Sequence, residues 1–261
     1  MGFGRLLRGV VASALVLATS SIAQAQQPPT VAAASDLQFA LEDVAQVFQR
    51  ETGKAVRLSF GSSGNFHRQI AQGGPFQIFM SADEGYVLDL AIKGLTEDDG
   101  VLYAEGRLAL IVPTGSPLAA DGSLDDLSAA LAAGKIAKFA IANPDHAPYG
   151  RAARQALEAK GLWAGLQGHL VFGENVSQAA QFATSGSAEG GIIAYSLALS
   201  PKVSQLGTWA LIPADQHAPL RQRMVLVKGA GETARAFYDF MQTPPARAVL
   251  ERYGFTLPEG R

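Results

Sequence analysis

Four short segments of the chain combine serine, glycine, asparagine and proline where a β-rich run gives way to helical periodicity. They are AAASDL with Ser35, FGSSGN with Ser62 and Ser63, ANPDHAPYG with Pro148, Tyr149 and Gly150, and GENVSQA with Val176. Junctions of this kind offer hydroxyl protons and unpaired helix-terminal N–H groups, backed by the positive end of the helix dipole, and they suit a small anion without any cationic side chain. Taken singly, Ser35, Ser63 or Ser177 reads equally well as an ordinary helix N-cap, and the glycines as ordinary turn residues. Four such junctions in one chain point to a cleft for an anion or small polar ligand.

Other chemistries find little support. His67, His146, His169 and His217 are far apart and form no metal-ligand spacing, so they read as surface or turn residues. The chain has no G-x-S-x-G, no phosphate-binding G-x-x-x-x-G-K-[ST] and no G-x-G-x-x-G. An exported serine hydrolase is a remote alternative, with Ser63 as nucleophile and His67 four residues on as base, but no carboxylate is evident to orient the histidine. The chain therefore reads as a binding protein rather than an enzyme, with no cofactor. Glu97-Asp98-Asp99 reads as a solvated loop, and Trp163, Trp209, Phe237, Tyr238 and Phe240 as packing positions.

The elements that must position the four junctions alternate strand and helix, the signature of α/β layers around a largely parallel sheet. Thr30 to Ala34 reads as a strand, and Leu37, Ala40, Leu41, Val44, Val47 and Phe48 mark one helix face ended by Gly53. A strand over 55–60 leads through GSSGNF into a second helix. Ile78 to Met80 is a short strand, followed by Ser81-Ala82-Asp83-Glu84 as a capping box. Further strands are expected over 138–142, 169–172 and 191–194, with helices near 124–133, 150–160 and 178–184, and closing helices over 232–242 and 245–253. Strands 108–113 and 223–228 are the candidates for crossing between two domains. The expected lobes are 26–110 with 221–261, and 111–220.

The chain has 261 residues, 48% hydrophobic and 17% charged, enough for one large or two small domains with a sizeable core. A net charge of −2 with no long basic block argues against nucleic acid as a partner. Zero cysteines exclude disulfides and thiolate metal sites. Residues 1–25 have the grammar of a secretory signal: Arg5 and Arg8, an apolar run from Val10 to Ala18, and Ala23-Gln24-Ala25, with cleavage expected after Ala25. The apolar run is shorter than the roughly 20 residues that span a bilayer. Removing the two arginines takes the net charge from −2 to −4, so long-range attraction would not help an anion in, and any anion site must work through local dipoles.

The strings VAAASDLQFAL, SFGSSGNFHRQI, IFMSADEGYV, IANPDHAPYG and FYDFM with ERYGF, in that order from Val31 to Phe255, resemble the periplasmic molybdate-binding proteins of molybdate importers. The resemblance implies a two-lobed type II periplasmic-binding-protein fold of mixed, mainly parallel sheets with a hinged cleft. It also implies a periplasmic location, molybdate or tungstate as ligand, delivery to an ABC permease with its ATPase, and a monomer. Carried over position by position, it puts the ligand donors at the Ser35 and Ser63 hydroxyls and the backbone N–H groups of Tyr149 and Val176.

Two positions depart from the family pattern. Where one branch contributes a tyrosine hydroxyl, Ala194 aligns and Tyr195 stands one step on, which in a strand turns the side chain to the other face. Where the closer branch can place an asparagine donor, this chain has Asp36. A carboxylate facing a dianion is repelled, so its side chain is expected to point away; inside the cleft it would instead suit the residual proton of phosphate. Another tetrahedral oxyanion, phosphate or sulfate, is the alternative cargo, and Asp36 bears on phosphate alone.

Overall fold

A computed structural model of the chain describes residues 27–258; the expected signal segment and the expected cleavage after Ala25 lie outside them. Ten strands form two five-stranded sheets. The first contains β1 (Thr30–Ala34), β2 (Arg57–Gly61), β3 (Ile78–Ser81), β4 (Val101–Gly106) and β10 (Leu220–Leu226) in the order β2-β1-β3-β10-β4. The second contains β5 (Leu108–Pro113), β6 (Phe139–Ala142), β7 (Leu170–Gly173), β8 (Gly190–Ala194) and β9 (Gly207–Leu211) in the order β7-β6-β8-β5-β9. In each sheet three neighbouring strands run parallel, and the remaining pairings are antiparallel.

The two sheets have the same plan. β5 holds in the second the place that β10 holds in the first, antiparallel between the parallel strands and an edge strand. Neither strand crosses between lobes as the sequence suggested: β5 lies wholly in the second sheet and β10 wholly in the first. The crossings are Arg107, between β4 and β5, and residues 212–219, between β9 and β10. The 110/111 and 220/221 cuts therefore fall inside β5 and at the start of β10. β4 and β9 are absent from the sequence reading. Both are edge strands with partly exposed residues, so neither shows a clean two-residue alternation.

Alternation along β1 shows how the first lobe is layered. Val31 and Ala33 face a core with Phe48, Phe237 and Leu250 under the helices Gln38–Thr52, Glu232–Phe240 and Pro244–Arg252. Ala32 faces a smaller core with Phe66, Phe79 and Val87 under the helices Ser63–Ala71 and Glu84–Ile92. Phe48 meets Phe237 edge-on at 5.1 Å and Phe240 at 5.4 Å, in keeping with the packing role read for those aromatics. The second lobe's core continues across the seam to Ala34, Ala82 and Leu220. The parallel strands of both sheets aim their carboxyl ends at that seam, where open α/β sheets bind ligands.

Candidate functional site

At the seam, the residues at the ends of β1, β2 and β3 and the starts of the Pro148–Ala159 and Val176–Thr184 helices close around one tight cavity of about 10 Å³. That is room for about one water molecule. Its lining brings together all four residues singled out as donors: Ser35 and Ser63 from the first lobe, Tyr149 and Val176 from the second. Asp36, Ser62 and Pro148 also line it, and no lysine, arginine or histidine does.

Three helices begin there: Ser63–Ala71, Pro148–Ala159 and Val176–Thr184. First-turn N–H groups have no partner within their own helix, so the amides of Ser63, Tyr149 and Val176 are free to meet an acceptor, with the helix dipoles adding positive potential. Pro148 at the first position of its helix has no N–H to lose and presets the turn. Gly150 is required next to it: a Cβ would stand 2.3 Å from the Ala142 carbonyl oxygen.

Neither Ser35 nor Ser63 acts as a side-chain N-cap, and the Val176 helix is capped by Asn175, whose side chain accepts from the Gln178 N–H at 3.1 Å. The Ser63 hydroxyl instead accepts from the Ala82 N–H at 3.0 Å, and that of Ser35 from the Ser177 N–H at 3.3 Å. Each oxygen is thereby held by an incoming donor. A hydroxyl carries one proton of its own, and among the described residues neither proton has an acceptor. Two oriented, unused O–H donors at the wall of a cavity are suited to a bound acceptor.

Asp36 is 1% exposed. Its Oδ2 accepts from Gln222 Nε2 at 2.6 Å and from the Tyr149 hydroxyl at 3.1 Å, while Oδ1 is buried without a partner. Burial pushes its pKa up from 3.8 to about 6, against the opposing pull of Gln222, Tyr149 and the amides of Asp36 and Leu37. Burial, with the nearby Asp36 charge, also pushes the Tyr149 phenol well above its usual 10. The Asp36 side chain thus turns one oxygen to Tyr149 and Gln222 and leaves the other uncommitted.

The lobes are tied around this cavity. The Gly64 N–H donates to the His146 carbonyl at 3.0 Å, Ser62 Oγ meets His146 Nδ1 at 2.9 Å, and the Ser177 and Ser196 hydroxyls donate to the Ser35 and Asp36 carbonyls, each at 2.8 Å. Gly64 cannot be larger, because a Cβ would come within 2.7 Å of the His146 oxygen. His146, read from the sequence as a surface or turn residue, joins the two lobes. Its ring lies between Ser62 and, at 3.4 Å, Glu174, which also accepts from Asn65 across the seam.

Several other expectations change. Ser81 does not begin a capping box: Asp83 is the N-cap, accepting from the Gly85 N–H at 2.8 Å, and Glu84 pairs with Arg221 and Arg223. Tyr195 starts a short helix, packs against Trp209 at 5.2 Å and is not among the cavity's lining residues. Ser63 and His67 do not pair: His67 Nε2 lies 2.5 Å from Asp89, so the hydrolase arrangement is absent.

Two like lobes, a donor-lined cavity at their strand ends and ties across the seam define a solute-binding protein, and the comparisons agree. The model of the bacterial extracellular solute-binding protein family matches residues 29–256, and the chain belongs to that family, one of binding proteins rather than enzymes. It is 34% identical to the molybdate-binding protein ModA of Rhodobacter capsulatus, over 97% of this chain and 98% of that one. It is 35% identical to ModA of Azotobacter vinelandii, over 87% and 89%. The solved structure of the Azotobacter vinelandii periplasmic molybdate-binding protein superposes with a TM-score of 0.78 at 33% identity, covering 88% of this chain and all of that one. The two-lobed α/β architecture is thus that of the type II periplasmic binding proteins.

Proposed function

We propose that this protein captures molybdate outside the cytoplasm and hands it to an ABC importer. The observation that carries the reading is the donor set: two oriented serine hydroxyls and the first-turn amides of helices from both lobes converge on one small cavity that no cationic side chain lines. Its relatives named molybdate-binding proteins supply the ion. In this reading the Ser35 and Ser63 hydroxyls and the Tyr149 and Val176 N–H groups replace the hydration shell of a tetrahedral dianion. Donors held in place before binding lower the ordering cost of association.

Tungstate, with the same charge and shape, is the second cargo, and selection over sulfate would depend on the size of the closed cavity. Phosphate brings a proton that wants an acceptor, and the free Asp36 Oδ1 is the observation that keeps it as the second reading. We further propose that the lobes expected as 26–110 with 221–261 and 111–220, with their bounds moved to the joints at Arg107 and within 212–219, swing apart to admit the ion. The chain would be exported with cleavage after Ala25, act as a monomer and meet a permease driven by its ATPase. Calorimetry and thermal shift with molybdate, tungstate, sulfate and phosphate on the protein lacking residues 1–25 test the cargo: a shift with the first two alone is expected. Tight phosphate binding with silent molybdate reverses the choice.

A further inference from the structure

The cavity holds a contradiction. Its helix N-termini and unspent hydroxyl protons gather positive potential, yet a carboxyl group stands in its wall, with one oxygen buried and unpartnered. Two negative charges about 4 Å apart repel by about 1 kcal/mol in water and by about 4 at the effective dielectric near a protein surface. An ionised Asp36 would therefore work against the ion that every other wall group is arranged to hold.

A proton on Oδ1 removes the contradiction. The carboxyl group then loses its charge while Oδ2 keeps its bonds from Gln222 and Tyr149. Resting on the anion-binding reading above, we propose that Asp36 takes up a proton together with the oxyanion, so that ligand capture is proton-coupled. In balanced form, the carboxylate, one solvent proton and the dianion give a neutral carboxyl group beside the dianion. No bond of the anion is broken or formed.

The surroundings of Asp36 favour this step. Burial lifts its pKa to about 6, and an adjacent dianion lifts it further. The titratable groups facing it are Tyr149, from the Pro148–Ala159 helix, and Tyr103, from β4, which donates to Gln222 Oε1 at 2.6 Å. Both phenols are pushed well above 10 by burial, so they stay neutral across the working range. Gln222 on β10 and Ser196 at the Asp36 carbonyl do not titrate. Among the described residues, no lysine, arginine or histidine hydrogen-bonds the carboxyl group.

The test is calorimetry of molybdate binding to the wild-type protein at pH 7.5, in two buffers of different ionisation enthalpy, neither an oxyanion. About one proton should be taken up per ion, and affinity should fall about tenfold per pH unit above neutrality. Asp36→Asn, which keeps the shape and a neutral donor, should abolish the uptake, flatten the pH profile and bind more tightly than wild type at pH 8. An infrared difference spectrum of the wild type, which needs no variant, should show a protonated carboxyl stretch appearing with molybdate. Binding without proton uptake, uptake unchanged in Asp36→Asn, or no new carboxyl stretch overturns the coupling while leaving the molybdate reading intact. Neither heat nor thermal shift with molybdate at any pH overturns both.

Discussion

The cavity at the strand ends and the depression beside it on the same seam are both polar, but they treat charge in opposite ways. The depression is lined by Asp83, Glu84, Arg151 and Arg221. There Arg151 pairs with Asp83 and donates to the Tyr86 hydroxyl at 2.9 Å, and Glu84 accepts from Arg221 at 2.6 Å and from Arg223 at 3.1 Å. Its charges are spent on one another and are partly exposed to water. The cavity has no cation in its wall, but its hydroxyl protons and helix-terminal amides are unspent. For an anion the second arrangement is the stronger one: fixed dipoles away from water keep their orientation and escape screening, whereas a paired surface arginine has little left to offer. A net-negative protein can hold an anion because binding depends on a few local donors rather than on total charge.

Breaking the scaffold that aims those donors should have the largest effect. Gly150→Val forces a side chain against the Ala142 carbonyl and should cost about 3 kcal/mol or more of stability by denaturant unfolding. Gly168→Ala, at a glycine with nothing within 4 Å, should cost far less. A similar loss in both would mean that the close approach at Gly150 is not what constrains it.

Next comes the carboxyl group. The folded protein holds Asp36 at about 6 against an ordinary 3.8. A raised carboxyl pKa means that the folded state binds the proton more tightly, so stability is highest below pH 4, falls as pH rises through about 6 and stays low above it. Asp36→Asn should therefore raise the Tm of ligand-free protein at pH 7.5, by up to about 3 kcal/mol in stability, with the advantage vanishing toward pH 4. An advantage independent of pH would place its cause elsewhere.

Ser63→Ala removes one oriented donor and should weaken molybdate binding by about 1–3 kcal/mol in calorimetry. An unchanged Kd would take Ser63 out of the site. At the bottom of the scale, Arg151→Ala should change affinity by less than about 1 kcal/mol, because its pair is partly exposed. If its effect matched that of Ser63→Ala, the contrast between the two regions would fail.

Much of this was legible in the order of residues. Strand–turn–helix units follow from local periodicity, so the junctions at Ser35, Ser63, Tyr149 and Val176 could be found as candidates before their neighbours were known. The edge strands β4 and β9 escaped because a strand with partly exposed, mixed residues has little pattern of its own and is defined by its partner. Tyr195, left out of the site by its one-residue offset, opens a helix after Ala194 and packs against Trp209.

The chain order by itself determined the two-lobed α/β plan and the chemical type of the donors, because backbone periodicity and turn chemistry act over a few residues. Only the tertiary structure decided that Ser35 and Ser63 accept from amides at Ser177 and Ala82 rather than cap their helices, that His146 closes on Ser62, and that Asp36 turns one oxygen to Tyr149 and Gln222 and leaves the other free. Such orientations depend on neighbours as far as 186 positions away in the chain, and a side chain's rotamer and charge state respond to who stands beside it in space.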